Sequence, residues 1–368
     1  MIVGVPTEIK DSERRVGLSP ASVTELVAHG HEVIVQRGAG VGSGFADPDY
    51  QSAGARIAVE AGEVFASAEM IVKVKEPQAG ERAQLRADQT LFTYLHLAPD
   101  PEQTTDLMAS GATCIAYETV TDRFGGLPLL APMSQVAGRL SVQAGAHSLE
   151  RPQGGSGILL GGVPGVPPAQ VVVIGGGVVG SNAIEMAIGL GADVTVLDRN
   201  VHVLGELADR FGPALRTIYS TRSSLEEHVL AADLVIGAVL VKGAAAPKLV
   251  TARQVELMSP GSVLVDVAID QGGCFETSKP TTHTDPTYLV DEVVHYCVAN
   301  MPGAVPRTST LALNNVTLPF VLALADHGPV AAMQADEHLR AGLNVYEGKV
   351  TEPAVAEALG HELHDPGW

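Results

Sequence analysis

The residues of this chain with the types and spacing to do chemistry are a glycine turn near its middle and a few charged side chains that follow apolar runs. Gly175-Gly176-Gly177-Val178-Val179-Gly180 comes directly after the strand-like Val171–Ile174. It opens a helical stretch carrying Ala183, Ile184, Ala187 and Ile188. Gly175 permits a tight turn, Gly177 lets backbone approach a pyrophosphate, and Gly180 lets the helix lie close on the strand. The helix N-terminus then offers unpaired N–H donors and a positive dipole end. Glycines alone could be an ordinary turn, but Val194–Leu197 reads as the next strand and Asp198 ends it, eighteen residues after Gly180. A carboxylate there accepts bonds from ribose hydroxyls and repels a 2′-phosphate. The pattern therefore points to dinucleotide binding, and to NAD ahead of NADP, although the neighbouring Arg199 is what a phosphorylated ribose would want.

Ligands of open parallel sheets gather beyond the carboxyl ends of the strands, and that rule selects a short list. Lys75 follows Met70–Val74, His96 follows Leu91–Tyr94, and Asp270 follows Val263–Val267. Arg14 and Arg15 lie in the polar segment after the first strand. Each has a bland reading: a solvated imidazole, surface cations, an aspartate capping the turn into Gly272-Gly273. Beside a nicotinamide they compose a specific chemistry. An imidazole, with an ordinary pKa of about 6.5, can take and return protons near neutrality. Arginine grips a carboxylate with two parallel bonds, and a lysine favours the oxygen of a carbonyl. The residues alone thus predict a nicotinamide-dependent dehydrogenase of a small carboxylate. That reading requires His96 and Asp270, far apart in the chain, to serve one ring.

These groups need two domains to position them. At 368 residues the chain exceeds one ordinary core. It is 46% hydrophobic with only 4% aromatic residues, so its core is built of Val, Leu, Ile and Ala, as in parallel sheets covered by helices. Strand-like runs at Ile2–Val5, Glu32–Gln36, Met70–Val74, Leu91–Tyr94 and Thr113–Ala116 alternate with helical stretches. A long helix is expected over 134–150. A second series follows at Val171–Ile174, Val194–Leu197, Ile218-Tyr219, Leu234–Ala238 and Val263–Val267, with Thr251 and Gln254 forming a capping box. Beyond about Pro306 the pattern is purely helical. The expected architecture is α/β: two doubly wound domains, with a Rossmann NAD-binding domain at 131–304 inserted into a substrate/catalytic domain at 1–130 plus 305–368. The net charge of -19 argues against nucleic acid as a partner. Cys114, Cys274 and Cys297 lack the spacing of a disulfide framework or a metal site. No apolar run reaches the roughly 18 residues needed to span a bilayer, since Gly, Pro and polar residues interrupt every candidate, and the expected location is cytoplasmic.

Several longer motifs carry a resemblance. Gly4-Val5-Pro6-Thr7-Glu8-Ile9-Lys10 with Arg15, Val72-Lys73-Val74-Lys75-Glu76-Pro77, Ala131-Pro132-Met133-Ser134, Gly161-Gly162-Val163-Pro164-Gly165-Val166 and Asp270-Gln271-Gly272-Gly273 resemble alanine dehydrogenases and the NAD-binding part of nicotinamide nucleotide transhydrogenases. Phe92-Thr93-Tyr94-Leu95-His96-Leu97-Ala98 and Asp266-Val267-Ala268-Ile269-Asp270 are similar to the first branch. Gln135 and Val203 stand where that family more often has Glu and a basic residue. The resemblance implies reversible deamination of L-alanine to pyruvate and ammonium in a homohexamer. It implies that Arg15 and Lys75 bind substrate, that His96 is the acid/base, and that Asp270 supports catalysis. It places Ser134, Gly175, Gly177, Val178, Val179, Gly180, Asp198, Ser220, Val239 and Leu240 against NAD, with Asn300 and Met301 near the nicotinamide. The competing expectations are a dehydrogenase of another small acid, such as the glycine/glyoxylate pair, and a transhydrogenase-like NAD(H)-binding subunit.

Overall fold

The computed structural model describes residues 1–239 and 246–368, and Leu240 lies outside them. The chain forms two compact units, Met1–Met133 with Val305–Trp368, and Ser134–Ala304.

The first unit holds a sheet of eight strands: β1 (Ile2–Val5), β2 (Glu32–Gln36), β3 (Arg56–Ala58), β4 (Met70–Val72), β5 (Thr90–Thr93), β6 (Thr113–Ala116), β14 (Leu343–Tyr346) and β15 (Lys349–Val350). Their order is β15-β14-β6-β5-β4-β1-β2-β3. The six N-terminal strands run parallel, with Val3 in register with both Val33 and Met70. Alternation along the strands divides the core between the two faces. Val3, Val5, Val33, Val72, Phe92 and Ile115 pack on one side, and Ile34, Ile71, Leu91 and Cys114 on the other. Continuous apolar runs are what a strand covered on both faces requires, each buried Val, Leu or Ile contributing about 1.5–3 kcal/mol. The chain reverses direction across the sheet between β1 and β4, so the crevice for a ligand opens beyond the carboxyl ends of those strands.

The second unit repeats the plan in β7 (Gln170–Ile174), β8 (Asp193–Asp198), β9 (Leu215–Tyr219), β10 (Leu234–Gly237), β11 (Val263–Asp266), β12 (Thr287–Val290) and β13 (Val293–Tyr296). Their order is β12-β13-β11-β10-β7-β8-β9, with only β12 antiparallel. Here the reversal falls between β7 and β10, beside the glycine turn. The Thr251–Gln254 capping box forms as the spacing predicts. The long helix begins earlier than expected, spanning Ala131–Ser148.

Two expectations fail in the C-terminal tail. It is not purely helical: β14 pairs antiparallel with β6 through a register shift between Leu343 and Val345, and β15 follows. These strands are four and two residues long, too short to show a period. The helix Pro306–His327 is also long and apolar enough by length and composition to cross a membrane. Within the first unit it behaves as a core helix. Leu313, Val321 and Leu324 join the cluster that contains β1, and its buried polar groups are paired. Asn314 accepts from the Ser19 N–H (2.6 Å) and the Ser22 hydroxyl (2.8 Å), and donates to the Gly17 carbonyl (3.2 Å). Thr310 Oγ1 accepts from the Val16 N–H at 3.2 Å. This polar seam fixes the segment that carries Arg15.

Candidate active site

In the first unit the groups read from the sequence stand beyond the carboxyl ends of β1, β4 and β5. Arg15 is buried, and Glu13 grips it from two residues away. Glu13 Oε1 accepts from Arg15 Nε at 2.7 Å and from its backbone N–H at 2.9 Å, and Oε2 accepts from Nη2 at 2.5 Å. Burial opposes the charge on the guanidinium, but the bonded Glu13 carboxylate outweighs it and holds the pKa above its ordinary value. Lys75 is half-buried, and its backbone is tied at both ends. Its N–H donates to Glu8 Oε2 at 3.4 Å and its carbonyl accepts from the Thr93 hydroxyl at 3.0 Å.

Glu8 is the junction of a buried charge cluster. It accepts from the Val74 N–H at 2.6 Å and from Lys73 Nζ at 3.1 Å, while Lys73 also donates to Glu81 at 2.8 Å. Burial pushes the Glu8 carboxyl up despite Lys73. Burial works against the Lys73 charge, yet the two carboxylates hold its pKa above the ordinary lysine range. Three buried ionic groups persist in one place only because each is paired.

His96 is exposed and has the left-handed backbone conformation, φ 51°, a conformation that persists only where its surroundings enforce it. Glu118, just past β6, does so. Its carboxylate accepts from the Leu95 N–H at 3.1 Å and the His96 N–H at 2.5 Å, and lies 3.6 Å from His96 Nδ1. The imidazole stacks parallel to the Tyr94 ring at 5.8 Å, and Tyr94 is pinned by its hydroxyl to the Leu129 carbonyl at 2.6 Å. Glu8, Glu13 and Glu118 were not singled out from the sequence. The strand-end rule, applied to β1 and β6, points to Glu8 and Glu118.

In the second unit the glycine turn has the shape its residues suggest. Gly175 has φ 99°, and a Cβ on Gly180 would stand 1.8 Å from the Gly175 carbonyl oxygen. Among the described residues, a Cβ on Gly177 would meet nothing within 4 Å, and no side chain caps the helix Val178–Gly189 there. Uncapped N–H donors beneath open space are what a pyrophosphate needs, so these residues fit a dinucleotide. Asp198 ends β8 half-buried, accepting from the Gly176 N–H and the Asn200 N–H at 2.7 Å each. The Ser220 N–H donates to the Asp198 carbonyl at 2.9 Å. Val239 abuts the same turn, its Cγ2 lying 3.0 Å from a Cβ placed on Gly175. Ser134 is in the first turn of Ala131–Ser148. One turn later Gly138 packs so closely on the Val179 carbonyl that a Cβ would stand 2.2 Å from it.

Asp270 is exposed in the short turn Val267–Gln271 past β11. Its Oδ1 accepts from the Asn300 N–H at 3.2 Å. Asn300 has φ 57°, and Met301 beside it is buried. Beneath the turn, the fully buried Asp266 accepts from the N–H groups of Ala268 (3.1 Å), Cys274 (2.9 Å) and Phe275 (3.3 Å), and from the Ser278 hydroxyl at 2.5 Å. The second unit thus gathers the glycine turn with Asp198, Ser220 and Val239, and Asp270 with Asn300.

Comparison with known proteins gives the family. Residues 4–137 match the family described as alanine dehydrogenase/PNT, N-terminal domain, and residues 141–353 match the C-terminal domain. The chain belongs to the alanine dehydrogenase/PNT family. It is 64% identical to an alanine dehydrogenase of Halomonas elongata, over 98% of both chains. It is 54% identical to one of Mycobacterium tuberculosis, over 100% of this chain and 99% of that one. A solved L-alanine dehydrogenase structure superposes with a TM-score of 0.95 at 56% identity, covering 98% of this chain and 99% of the other. A transhydrogenase from Sinorhizobium meliloti superposes at 0.82 with 26% identity, over 96% and 100% of the two chains. The alanine dehydrogenase/PNT membership makes the chain an oxidoreductase of two α/β domains that works with a nicotinamide cofactor.

Proposed function

We propose that the chain catalyses the reversible NAD-dependent oxidative deamination of L-alanine to pyruvate and ammonium, as a cytoplasmic homohexamer. The observation that carries the substrate is likeness over essentially the whole chain to alanine dehydrogenases, at 54–64% identity. The likeness to a transhydrogenase is 26%, which disfavours a transhydrogenase-like subunit.

In this reading the first unit handles substrate and the second holds NAD. Arg15 and Lys75 receive the carboxylate and the keto oxygen. His96 takes a proton as water adds to the iminium of the oxidised substrate, and returns one as ammonium leaves. Asp270 supports that chemistry. Gly175, Gly177, Val178, Val179 and Gly180 carry the pyrophosphate and Asp198 the ribose. Ser134, Ser220 and Val239 line the nucleotide, and Asn300 and Met301 the nicotinamide. Bound NAD supplies the hydride acceptor in deamination and the donor in the reverse direction. Asp198 supports NAD over NADP, because a carboxylate accepts ribose hydroxyls and repels a phosphate.

The test is NADH formation followed by absorbance with L-alanine, glycine and L-serine, each with NAD+ and with NADP+. Turnover with L-alanine and NAD+ is expected to exceed the others. A preference for glycine would move the assignment to the glycine/glyoxylate pair. NADH binding without turnover on any amino acid would leave only a nucleotide-binding protein. In His96→Ala, turnover should vanish while NADH still binds; retained turnover would remove His96 from the chemistry. Six copies per particle are expected by light scattering.

A further inference from the structure

We propose that Glu13 is a positioning residue for carboxylate recognition, setting the plane in which Arg15 meets its ligand; this rests on the reading of Arg15 as a substrate-binding group. The arrangement begins in the turn before it. Ser12 adopts φ 60° and the Glu13 N–H closes on the Lys10 carbonyl at 3.1 Å. The turn aims the Glu13 side chain forward along the chain. One carboxylate oxygen then takes both the backbone N–H and Nε of Arg15, and the other takes Nη2. Three bonds from one carboxylate leave the guanidinium no rotation about its long axis. Nη1 lies outside the pair, 3.0 Å from Met133 Sδ.

The side chains of Arg15 and Glu13 are 2% and 0% exposed. A buried ion pair is no better for stability than a packed apolar pair of the same volume, so stability does not account for it. Orientation does. A long side chain fixed before binding costs less to order when the ligand arrives. The pair is also neutral as a unit.

Two views of Glu13 now predict opposite signs. If Glu13 merely dilutes the charge of Arg15, Glu13→Gln exposes a stronger cation and tightens carboxylate binding. If it positions Arg15, the same variant loosens it.

The experiment measures KM for L-alanine and for pyruvate, kcat and NADH affinity in the full chain, for Glu13→Gln, Arg15→Lys and the double variant. Glu13→Gln is expected to raise both KM values about tenfold, with kcat within about threefold and NADH affinity unchanged. The double variant should be no worse than Arg15→Lys alone, because the two residues act through one contact. Unchanged or lowered KM in Glu13→Gln, while Arg15→Lys raises it, overturns the positioning role and leaves Arg15 in place. No KM effect of Arg15→Lys overturns the reading of Arg15 itself. Losses that add in the double variant, with kcat and NADH affinity falling together, mark a structural brace and overturn the proposal. If Glu13→Gln does not fold, Glu13→Asp keeps the charge but shortens the reach. It should raise KM by a smaller factor, and an unchanged KM there overturns the proposal too.

Discussion

His96 pays for its position in backbone strain. A non-glycine residue in the left-handed region costs on the order of 1–3 kcal/mol, and Glu118 meets that cost with the bonds it accepts from two successive N–H groups. Glu118→Ala should therefore release the loop without touching the nucleotide turn. The expected result is a loss of about 10–100-fold in kcat, the size typical of a group that orients an acting one, with NADH affinity unchanged by fluorescence titration. A kcat within twofold of the parent would mean that the stacked Tyr94 ring holds the imidazole unaided. At this scale the sequence is legible in part. Lys75 and His96 stand out because a charged residue directly after an apolar run is visible in one dimension. The strand-end rule can point to Glu8 and Glu118 but not to what they hold: Glu8 reaches Lys75 across 67 residues and Glu118 reaches His96 across 22, pairings that only the strand order closes.

At the scale of elements, two contacts fix the ends of the working segments. Gly180 lets the helix Val178–Gly189 press against the turn it follows, and a methyl group there would stand 1.8 Å from the Gly175 carbonyl oxygen. In Gly180→Ala the helix must retreat, taking its N-terminal N–H groups with it. NADH affinity is expected to fall at least about tenfold, and unaltered binding would show that the turn can absorb the methyl. Asn314 does for Gly17–Ser22 what no apolar residue could, since it pairs two backbone groups and a hydroxyl of that segment. Asn314→Ala should destabilise by about 1–3 kcal/mol, the cost of leaving buried groups unpaired, read from urea unfolding. A smaller loss would mean that water replaces the amide. Most of the parallel strands were legible because both their faces are apolar, but β13, parallel to β11 and buried, was not read. Strand β3 was not, because it is three residues long and begins with an arginine. Strands β14 and β15 were hidden by brevity, and their pairing depends on the exposed edge of β6, which local sequence does not encode.

At the scale of the whole molecule, charge is the dominant feature that pairing does not consume. The chain has 42 acidic and 23 basic side chains, so 19 carboxylates are in excess whatever ion pairs form (42 − 23). Many of those pairs are exposed, as Arg56 with Glu63 and Arg216 with Asp193 are, and such pairs are weak in water. The net repulsion of a folded acidic surface should outweigh them. Salt weakens both, because the screening length falls from about 30 Å at 0.01 M to about 8 Å at 0.15 M. The long-range repulsion among unpaired carboxylates loses more than contacts within 4 Å. Raising sodium chloride across that range at neutral pH should therefore raise the thermal midpoint. The rise should shrink as pH is lowered towards the isoelectric point near 4.9, where the excess charge is gone. A midpoint that falls with salt at neutral pH would show that the paired charges, not the unpaired ones, govern the surface.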